Sequence, residues 1–148
     1  MEKYEILKDM VIEYKGKTLY RIRALKNFDD IKTGDLGGYV ENYNNLSQED
    51  NCWIYDNAMV FENARVYDDA KVYDDAKVYE YAEIYEYAEV YDYAEVYDYA
   101  EVYGSAKVYE YAMVFENARV YGSAMVFENA SVYGSAMVFE YARVYGTA

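Results

Sequence analysis

Hydrophobic and polar residues alternate in a six-residue pattern that repeats without interruption from residue 54 to residue 148. Each repeat reads small–x–aliphatic–aromatic–x–x, as in Ala70-Lys71-Val72-Tyr73-Asp74-Asp75. The small and aliphatic residues are two positions apart, so in an extended strand their side chains point to the same side. Val, Ile and Tyr favour strands, whereas Asp, Glu, Asn, Gly and Ser, which are common at the last two positions, favour turns. The pattern predicts a short strand and a tight turn in every repeat.

A unit this short cannot bury its apolar side alone and must stack on copies of itself. With three repeats to a coil, equivalent residues of successive coils lie above one another, about 4.8 Å away. Amphipathic helices and coiled coils are excluded, because apolar positions two and six apart follow neither helical period. The sequence therefore predicts an all-β fold, a triangular parallel β-helix of hexapeptide repeats.

Residues 1–37 lack the repeat and predict a small N-terminal β-hairpin cap, whereas residues 38–148 form the predicted β-solenoid. Lys15-Gly16-Lys17 supplies the hairpin turn between two runs of strand-forming residues. We expect the hairpin to cover the N-terminal edge of the solenoid. The interval from Leu46 to Ile54 is two residues longer than one repeat, which predicts a bulge at a corner of an irregular first coil.

The C-terminal repeats predict an uncapped strand edge. Nothing after Val144 resembles a capping helix, a charged edge strand or a Pro. Unprotected strand edges pair with other chains. We therefore expect self-association through this edge, as a closed dimer or an end-to-end filament. Lateral trimers along the faces are the competing geometry.

Two outward columns on each face distinguish the predicted surface. The residue after each aliphatic position is Tyr or Phe, and the residue before it changes along the axis from basic to acidic and then to a mixed, Met-rich band. The candidate surface for self-association or another partner comprises Met113, Phe115, Met125, Phe127, Met137, Phe139, Tyr141 and Tyr145. An acidic and aromatic band precedes it, formed by Glu83, Glu89, Glu95, Glu101, Tyr81, Tyr87, Tyr93 and Tyr99. The pattern leaves open whether the aromatic columns bind a ligand or only stabilise the fold.

The net charge of −14 is concentrated between Asp68 and Glu101, where twelve carboxylates face two lysines. A solvated, self-repelling surface is the simplest interpretation. This charge disfavours direct binding of nucleic acid, whose phosphates require Lys and Arg. It allows a basic protein surface as a partner. The alternative functional hypothesis is therefore an acidic decoy that inhibits a nucleic-acid-binding host protein.

The residues expected of common enzymes are missing. The chain has no His, one Cys and no Pro. We therefore predict no catalytic residue, no cofactor and no metal site, because a His general base, a zinc-ligand set and a phosphate-binding loop are all lacking. The first residues do not form a signal peptide, and no apolar run reaches membrane-spanning length. We expect a cytoplasmic protein that does not bind membranes.

Four segments in the first part of the chain resemble the YdcK-like hexapeptide-repeat proteins, which are common in bacteria and phages and usually labelled acyltransferases. They are residues 19–26 (LYRIRALK), 34–41 (GDLGGYVE), 45–48 (NLSQ) and 51–55 (NCWIY). The resemblance implies a left-handed β-helix of the trimeric transferase type, and a phage-encoded or virion-associated protein is among the sources it suggests. A degenerate acyltransferase is the third hypothesis, after the decoy. The first is a non-enzymatic β-solenoid that serves as a self-associating structural or interaction module.

Overall fold

The computed structural model describes residues 2–148 and is built almost entirely from β-strands. Three longer strands come first: β1 (Tyr4–Tyr14), β2 (Lys17–Ala24) and β3 (Leu36–Val40), followed by a 3-10 turn at Tyr43–Asn45. Each repeat then contributes one two-residue strand. These strands are β4 (Trp53–Ile54), β5 (Met59–Val60), β6 (Arg65–Val66), β7 (Lys71–Val72), β8 (Lys77–Val78), β9 (Glu83–Ile84), β10 (Glu89–Val90), β11 (Glu95–Val96), β12 (Glu101–Val102), β13 (Lys107–Val108), β14 (Met113–Val114), β15 (Arg119–Val120), β16 (Met125–Val126), β17 (Ser131–Val132), β18 (Met137–Val138) and β19 (Arg143–Val144).

The repeat strands form three sheets, which are the three faces of a solenoid. Face 1 contains β1, β2, β3, β5, β8, β11, β14 and β17; face 2 contains β4, β7, β10, β13, β16 and β19; face 3 contains β6, β9, β12, β15 and β18. Consecutive repeats lie on consecutive faces, and pairing between coils is parallel. Val90, for example, pairs with Val72 on one side and Val108 on the other. The predicted all-β, three-sided parallel solenoid is confirmed.

The interior is a stack of small and aliphatic side chains. Val96 and its neighbours Ala94 and Ala100 are 0% exposed, as are the equivalent residues of nearly all other coils. The residues on either side of each Val or Ile point outward and are at least partly exposed in most coils. The predicted assignment of inside and outside positions is therefore confirmed.

The corners require a left-handed backbone conformation. The residue after each aromatic position has φ near +58°, as at Asp74 (+59°) and Glu110 (+58°), and Gly occupies this position at Gly104 (+67°). Two backbone hydrogen bonds close the corner: the Ala76 N–H donates to the Tyr73 carbonyl at 3.4 Å, and the Asp75 N–H donates to the next coil at Asp92 O over 2.9 Å. A left-handed conformation costs a non-Gly residue about 1–2 kcal/mol, so the corner side chains must contribute compensating contacts.

The N-terminal hairpin extends one face of the solenoid. β1 pairs antiparallel with β2 across the turn at Lys15-Gly16, with a register shift between Leu7 and Val11. β2 pairs antiparallel with β3, and β3 pairs parallel with β5. The hairpin thus covers the N-terminal edge of face 1 alone, while on face 3 Leu46 pairs with Val66 at the corresponding edge.

A buried lysine closes the N-terminal end of the core. Lys3 is 0% exposed, and its ammonium group donates to the carbonyl oxygens of Glu49 (3.1 Å), Asp50 (3.2 Å) and Cys52 (2.8 Å).

No helix within residues 2–148 is long and apolar enough to cross a membrane.

The first coil is longer than the regular ones. Leu46 pairs with Val66 of the next coil, whereas in the regular part of the solenoid Ile54 pairs with Val72. The stretch from Leu46 to Val66 contains two more residues than the stretch from Ile54 to Val72. The two-residue bulge predicted between Leu46 and Ile54 is therefore confirmed.

Candidate functional site on the outer columns

Each face presents two outward columns along the solenoid axis. The aromatic column is formed by the residue after each aliphatic position, and the leading column by the residue before it. On face 2 the aromatic column is Tyr55, Tyr73, Tyr91, Tyr109, Phe127 and Tyr145. The leading column of face 2 is Trp53, Lys71, Glu89, Lys107, Met125 and Arg143.

The rings of the aromatic columns stack on one another. The ring centroids of Tyr73 and Tyr91 are 4.7 Å apart with an interplanar angle of 2°, and those of Tyr91 and Tyr109 are 5.0 Å apart at 1°. Carbon atoms come into contact at about 3.5–4 Å, so parallel rings this close must turn their faces towards each other. Solvent therefore meets mainly ring edges and hydroxyls. This geometry favours stabilisation of the fold over ligand stacking within the columns.

Tyrosine hydroxyls in the middle coils donate to glutamates of the leading column one coil further on. The Tyr73 hydroxyl lies 2.7 Å from Glu89 Oε1, and the Tyr79 hydroxyl lies 2.9 Å from Glu95 Oε1. The other two pairs are Tyr67–Glu83 at 2.7 Å and Tyr85–Glu101 at 2.6 Å. Burial and then the Glu89 carboxylate raise the pKa of Tyr73, while burial raises the pKa of Tyr91 to about 12.

The predicted acidic and aromatic band encircles the solenoid. Glu95 lies on face 1, Glu89 on face 2, and Glu83 and Glu101 on face 3. The four corner tyrosines of the band are exposed, and Tyr87 is 66% exposed. Tyr81 and Tyr99 stack on each other at 4.9 Å, and Tyr93 stacks on Tyr111 at 5.1 Å. The band is thus a ring of phenol–carboxylate pairs and corner tyrosines, with no concentration on one face.

Corner carboxylates accept hydrogen bonds from the backbone of the next coil. Asp74 Oδ2 accepts from the Asp92 N–H at 3.1 Å, and Asp92 Oδ2 accepts from the Glu110 N–H at 3.0 Å. The left-handed residue would otherwise leave this N–H without a strand partner. The sequence pattern predicts only solvated corners here. The available signal was the recurrence of Asp or Glu in successive coils at the position that takes positive φ.

The Met- and Phe-rich residues form a collar distributed over three faces. Met113 lies on face 1, Met125 on face 2 and Met137 on face 3. We call the apolar collar the set Met113, Phe115, Met125, Phe127, Met137, Phe139, Tyr141 and Tyr145. In it, thioethers replace the glutamates as neighbours of the phenols, with oxygen–sulfur distances of 3.9 Å for Tyr97–Met113 and 3.8 Å for Tyr121–Met137.

Several collar side chains are exposed. Met113 is 37% exposed, Phe139 43%, Met137 55% and Tyr141 84%. In the last coil this exposure includes the side that a further coil would cover. Met113 lies outside that coil, with Ser131 paired above it, so its exposure belongs to the face itself. The structure therefore does not bring the predicted residues together as one patch; they surround the solenoid.

N-terminal segments fold over two of the faces. The Tyr14 ring packs edge-on against Phe61, and the Lys15 ammonium lies 5.1 Å from the Tyr79 ring centroid, both on face 1. On face 2, Lys71 forms an ion pair with Asp29 at 2.7 Å, which holds the pKa of Asp29 below and that of Lys71 above their usual values. These contacts involve the first coils, whereas the collar lies at the opposite end.

The free cysteine is part of the core. Cys52 is fully buried, and its sulfur lies 3.3 Å from the Lys3 ammonium nitrogen. Burial raises the pKa of the Cys52 thiol and lowers that of Lys3. A buried thiol of this kind is a poor nucleophile. Among the described residues, no group of three His, Cys, Asp or Glu side chains is placed to hold a metal ion.

Comparison with known proteins identifies the repeat. Residues 54–68 match the family model described as the YdcK beta solenoid repeat. A 41-residue stretch is 42% identical to the "Uncharacterized acetyltransferase YdcK" of Escherichia coli (strain K12), which corresponds to 28% of this chain and 13% of that protein. The match spans a small part of the relative's length. The resemblance predicted from the sequence is confirmed for the repeat: this chain is a β-solenoid in which residues 54–68 match the YdcK repeat.

Proposed function

We propose that this chain is a non-enzymatic β-solenoid that associates with copies of itself through the apolar collar. The observation that carries the proposal is the change along the leading columns. In the middle coils the leading residues are glutamates that bind phenols, whereas in the C-terminal coils every second leading residue is Met (Met113, Met125 and Met137), in alternation with Arg or Ser. Burial of exposed thioether and aromatic groups between two copies would stabilise the complex by about 25 cal/mol per Å² of apolar surface removed from water.

The distribution of the collar favours contact at one end of the solenoid over contact along one side. A stripe on a single face would suit a lateral partner, whereas apolar groups on all three faces surround the edges of the last coil. A second copy placed against these coils would bury collar side chains of all three faces together.

The non-enzymatic part of the proposal is supported by the engagement of the carboxylates. The glutamates of the acidic band accept hydrogen bonds from phenol hydroxyls, as Glu89 does from Tyr73. Many corner carboxylates accept hydrogen bonds from backbone N–H groups, as Asp74 does from Asp92. A general base must lie within hydrogen-bond reach of the proton that it takes from the substrate, whereas these carboxylate oxygens bind groups of the solenoid itself. The hypothesis of an acidic decoy stays a prediction. The negative charge of the chain does not require a basic partner, because many of the carboxylates form hydrogen bonds within the solenoid.

Two matched triple variants test the proposal. The collar variant replaces Met113, Met125 and Met137 with Gln, one change on each face. The control replaces Lys77, Lys107 and Arg65 with Gln, at the same column positions in other coils. Both are compared with the parent at high salt, which screens the charges that the control removes.

Sedimentation separates the outcomes. The collar variant should associate at least about tenfold more weakly than the parent, equivalent to about 1.4 kcal/mol, whereas the control should associate as strongly as the parent. A monomeric parent, or equal association of the parent and the collar variant, would overturn the proposal.

A further inference from the structure

The stacked tyrosines form continuous runs of oxidisable rings. On face 2, Tyr73, Tyr91 and Tyr109 stack at 4.7 and 5.0 Å. Face 1 contains the pair Tyr79–Tyr97 at 5.0 Å. The run on face 3 is Tyr67–Tyr85–Tyr103–Tyr121, with 4.9 Å between each pair of neighbours. Because neighbouring rings are in van der Waals contact, an electron vacancy on one ring can pass to the next without crossing solvent.

Hydrogen bonding distinguishes the two ends of these runs. At the N-terminal end of face 2, Tyr73 donates to Glu89 Oε1 at 2.7 Å, whereas at the other end the Tyr109 hydroxyl lies 3.8 Å from Met125 Sδ. A phenol that loses an electron becomes a strong acid, so its proton moves to a base that is already hydrogen-bonded to it. A carboxylate can take this proton, while a thioether is only a weak acceptor. The vacancy is therefore most stable at the carboxylate-bound end.

Phenylalanine limits the runs at the collar. Phe115 follows Tyr97 on face 1, Phe127 follows Tyr109 on face 2, and Phe139 follows Tyr121 on face 3, all in stacked geometry. Phe lacks the phenol oxygen and is much harder to oxidise than Tyr. Each run thus has an inert boundary on the collar side and a proton acceptor on the other side, which gives it a direction.

We propose that these tyrosine runs form a one-electron relay that stores a radical on Tyr67, Tyr73, Tyr79 or Tyr85. The substrate is a one-electron oxidant that acts at the exposed ring edges, such as an oxidised metal complex or a radical released by a peroxidase. The electron passes through the run to the oxidant, which is reduced by one electron. The tyrosine O–H bond breaks and its proton moves to Glu83, Glu89, Glu95 or Glu101. The products are a neutral tyrosyl radical and a carboxylic acid.

Flash oxidation of the full chain tests the proton acceptors. The oxidant is ruthenium(III) tris-bipyridine, generated by light. One variant carries Gln at Glu83, Glu89, Glu95 and Glu101. Because this oxidant is a cation and is attracted to the acidic chain, the control must lose the same four charges. Its changes are Glu49→Gln, Asp75→Asn, Glu128→Gln and Glu140→Gln, at carboxylates that accept no tyrosine hydroxyl.

The rate of tyrosyl-radical formation, followed by optical absorption and electron paramagnetic resonance, separates the outcomes. We expect radical formation in the first variant to be about a hundredfold slower than in the parent, the lower end of what a positioned base contributes. Its rate should also rise with buffer concentration, because buffer must then accept the proton. The control should keep the rate of the parent. Equal rates in the two variants would overturn the role of the glutamates.

A tethered photo-oxidant tests the relay. Met125→Cys on face 2 provides the attachment point, because the Met125 sulfur lies 3.8 Å from the Tyr109 hydroxyl at the end of the run, and native Cys52 is fully buried. Tyr91→Phe retains a stacked ring but removes the oxidisable phenol between Tyr109 and Tyr73. The long-lived radical should be lost in this variant and retained in Tyr103→Phe, the same change on face 3. Retention of the radical in Tyr91→Phe would contradict the relay.

Discussion

Asp74 Oδ2 accepts a hydrogen bond from the backbone N–H of Asp92, one coil further along the solenoid, at 3.1 Å. Asp92 has φ of +58°, so its N–H lies outside the strand ladder and needs a side-chain partner. The same contact connects Asp56 to Asp74 and Asp92 to Glu110. The corner carboxylates therefore belong to the hydrogen bonding of the fold, and part of the net charge of −14 follows from that role.

Two substitutions at Asp74 separate hydrogen bonding from charge. Asp74→Asn keeps an oxygen acceptor and tolerates the left-handed conformation, so the free energy of unfolding should change by less than about 0.5 kcal/mol. Asp74→Ala leaves the Asp92 N–H without its acceptor and should lower the unfolding free energy by about 1–3 kcal/mol. Urea denaturation measures both values. Equal losses would mean that the contact does not support the corner.

A cavity in the middle of the solenoid should be costly. Val96 is 0% exposed between Val78 and Val114, so Val96→Ala should lower the unfolding free energy by about 1–3 kcal/mol. Tyr97→Ala removes a larger side chain, but one that lies on the outer surface between stacked rings. It should cost clearly less, and the opposite order in thermal or urea unfolding would contradict the inside–outside assignment.

Alkaline pH should destabilise the protein through its tyrosines. Burial, followed by the hydrogen-bonded glutamates, raises the pKa of Tyr67, Tyr73, Tyr79 and Tyr85 above the unfolded value of 10.0. A group whose pKa is raised by folding contributes stability that is complete below the unfolded pKa and is lost as pH rises through the folded pKa. The contribution of these tyrosines to the free energy of unfolding should therefore be constant up to about pH 10 and should fall above that pH.

Two signals recorded together check this expectation. Phenolate absorption of the stacked tyrosines should appear together with the loss of the β-sheet circular dichroism signal. The quadruple variant with Gln at Glu83, Glu89, Glu95 and Glu101 should ionise at lower pH, because the acceptor that stabilises the neutral phenol is weaker. Complete tyrosine ionisation near pH 10 with an intact β-sheet signal would contradict the raised pKa of Tyr73 and Tyr79.

Acetyl-coenzyme A should not bind. The name of the curated relative suggests acetyl transfer by that protein, but this chain has no His to serve as a general base. Saturating acetyl-coenzyme A should leave the melting temperature unchanged, and no acetyl group should be consumed with amine or hydroxyl acceptors. A rise in melting temperature that saturates with the ligand would refute the non-enzymatic proposal.

Period and alternation are sufficient to predict the solenoid from the sequence. Three successive repeats place Val96 above Val78, and the two-residue step from Ala94 to Val96 turns both side chains inward. The two-residue excess between Leu46 and Ile54 likewise appears in the pairing of Leu46 with Val66. These features are local in the repeat, so no knowledge of tertiary contacts is needed to find them.

The rest of the surface depends on contacts between coils. The Tyr73–Glu89 pair follows from side-chain directions that composition does not reveal. Lys3 reaches the carbonyl groups of Glu49 and Cys52, which are distant in the chain and which no repeat connects to it. The distribution of the collar over three faces could have been predicted from the sequence. Met113, Met125 and Met137 occur in every second repeat, whereas residues of one column occur in every third.

Sedimentation equilibrium of the unmodified chain, over a range of concentrations at low and high salt, tests self-association most directly. We predict a mass that rises above the 17.4 kDa of one chain at micromolar concentrations. Association should persist or strengthen at high salt, because salt screens the repulsion between two acidic copies while the apolar collar remains attractive. A single species of 17.4 kDa under all conditions, or association that disappears as salt is added, would contradict the proposed function.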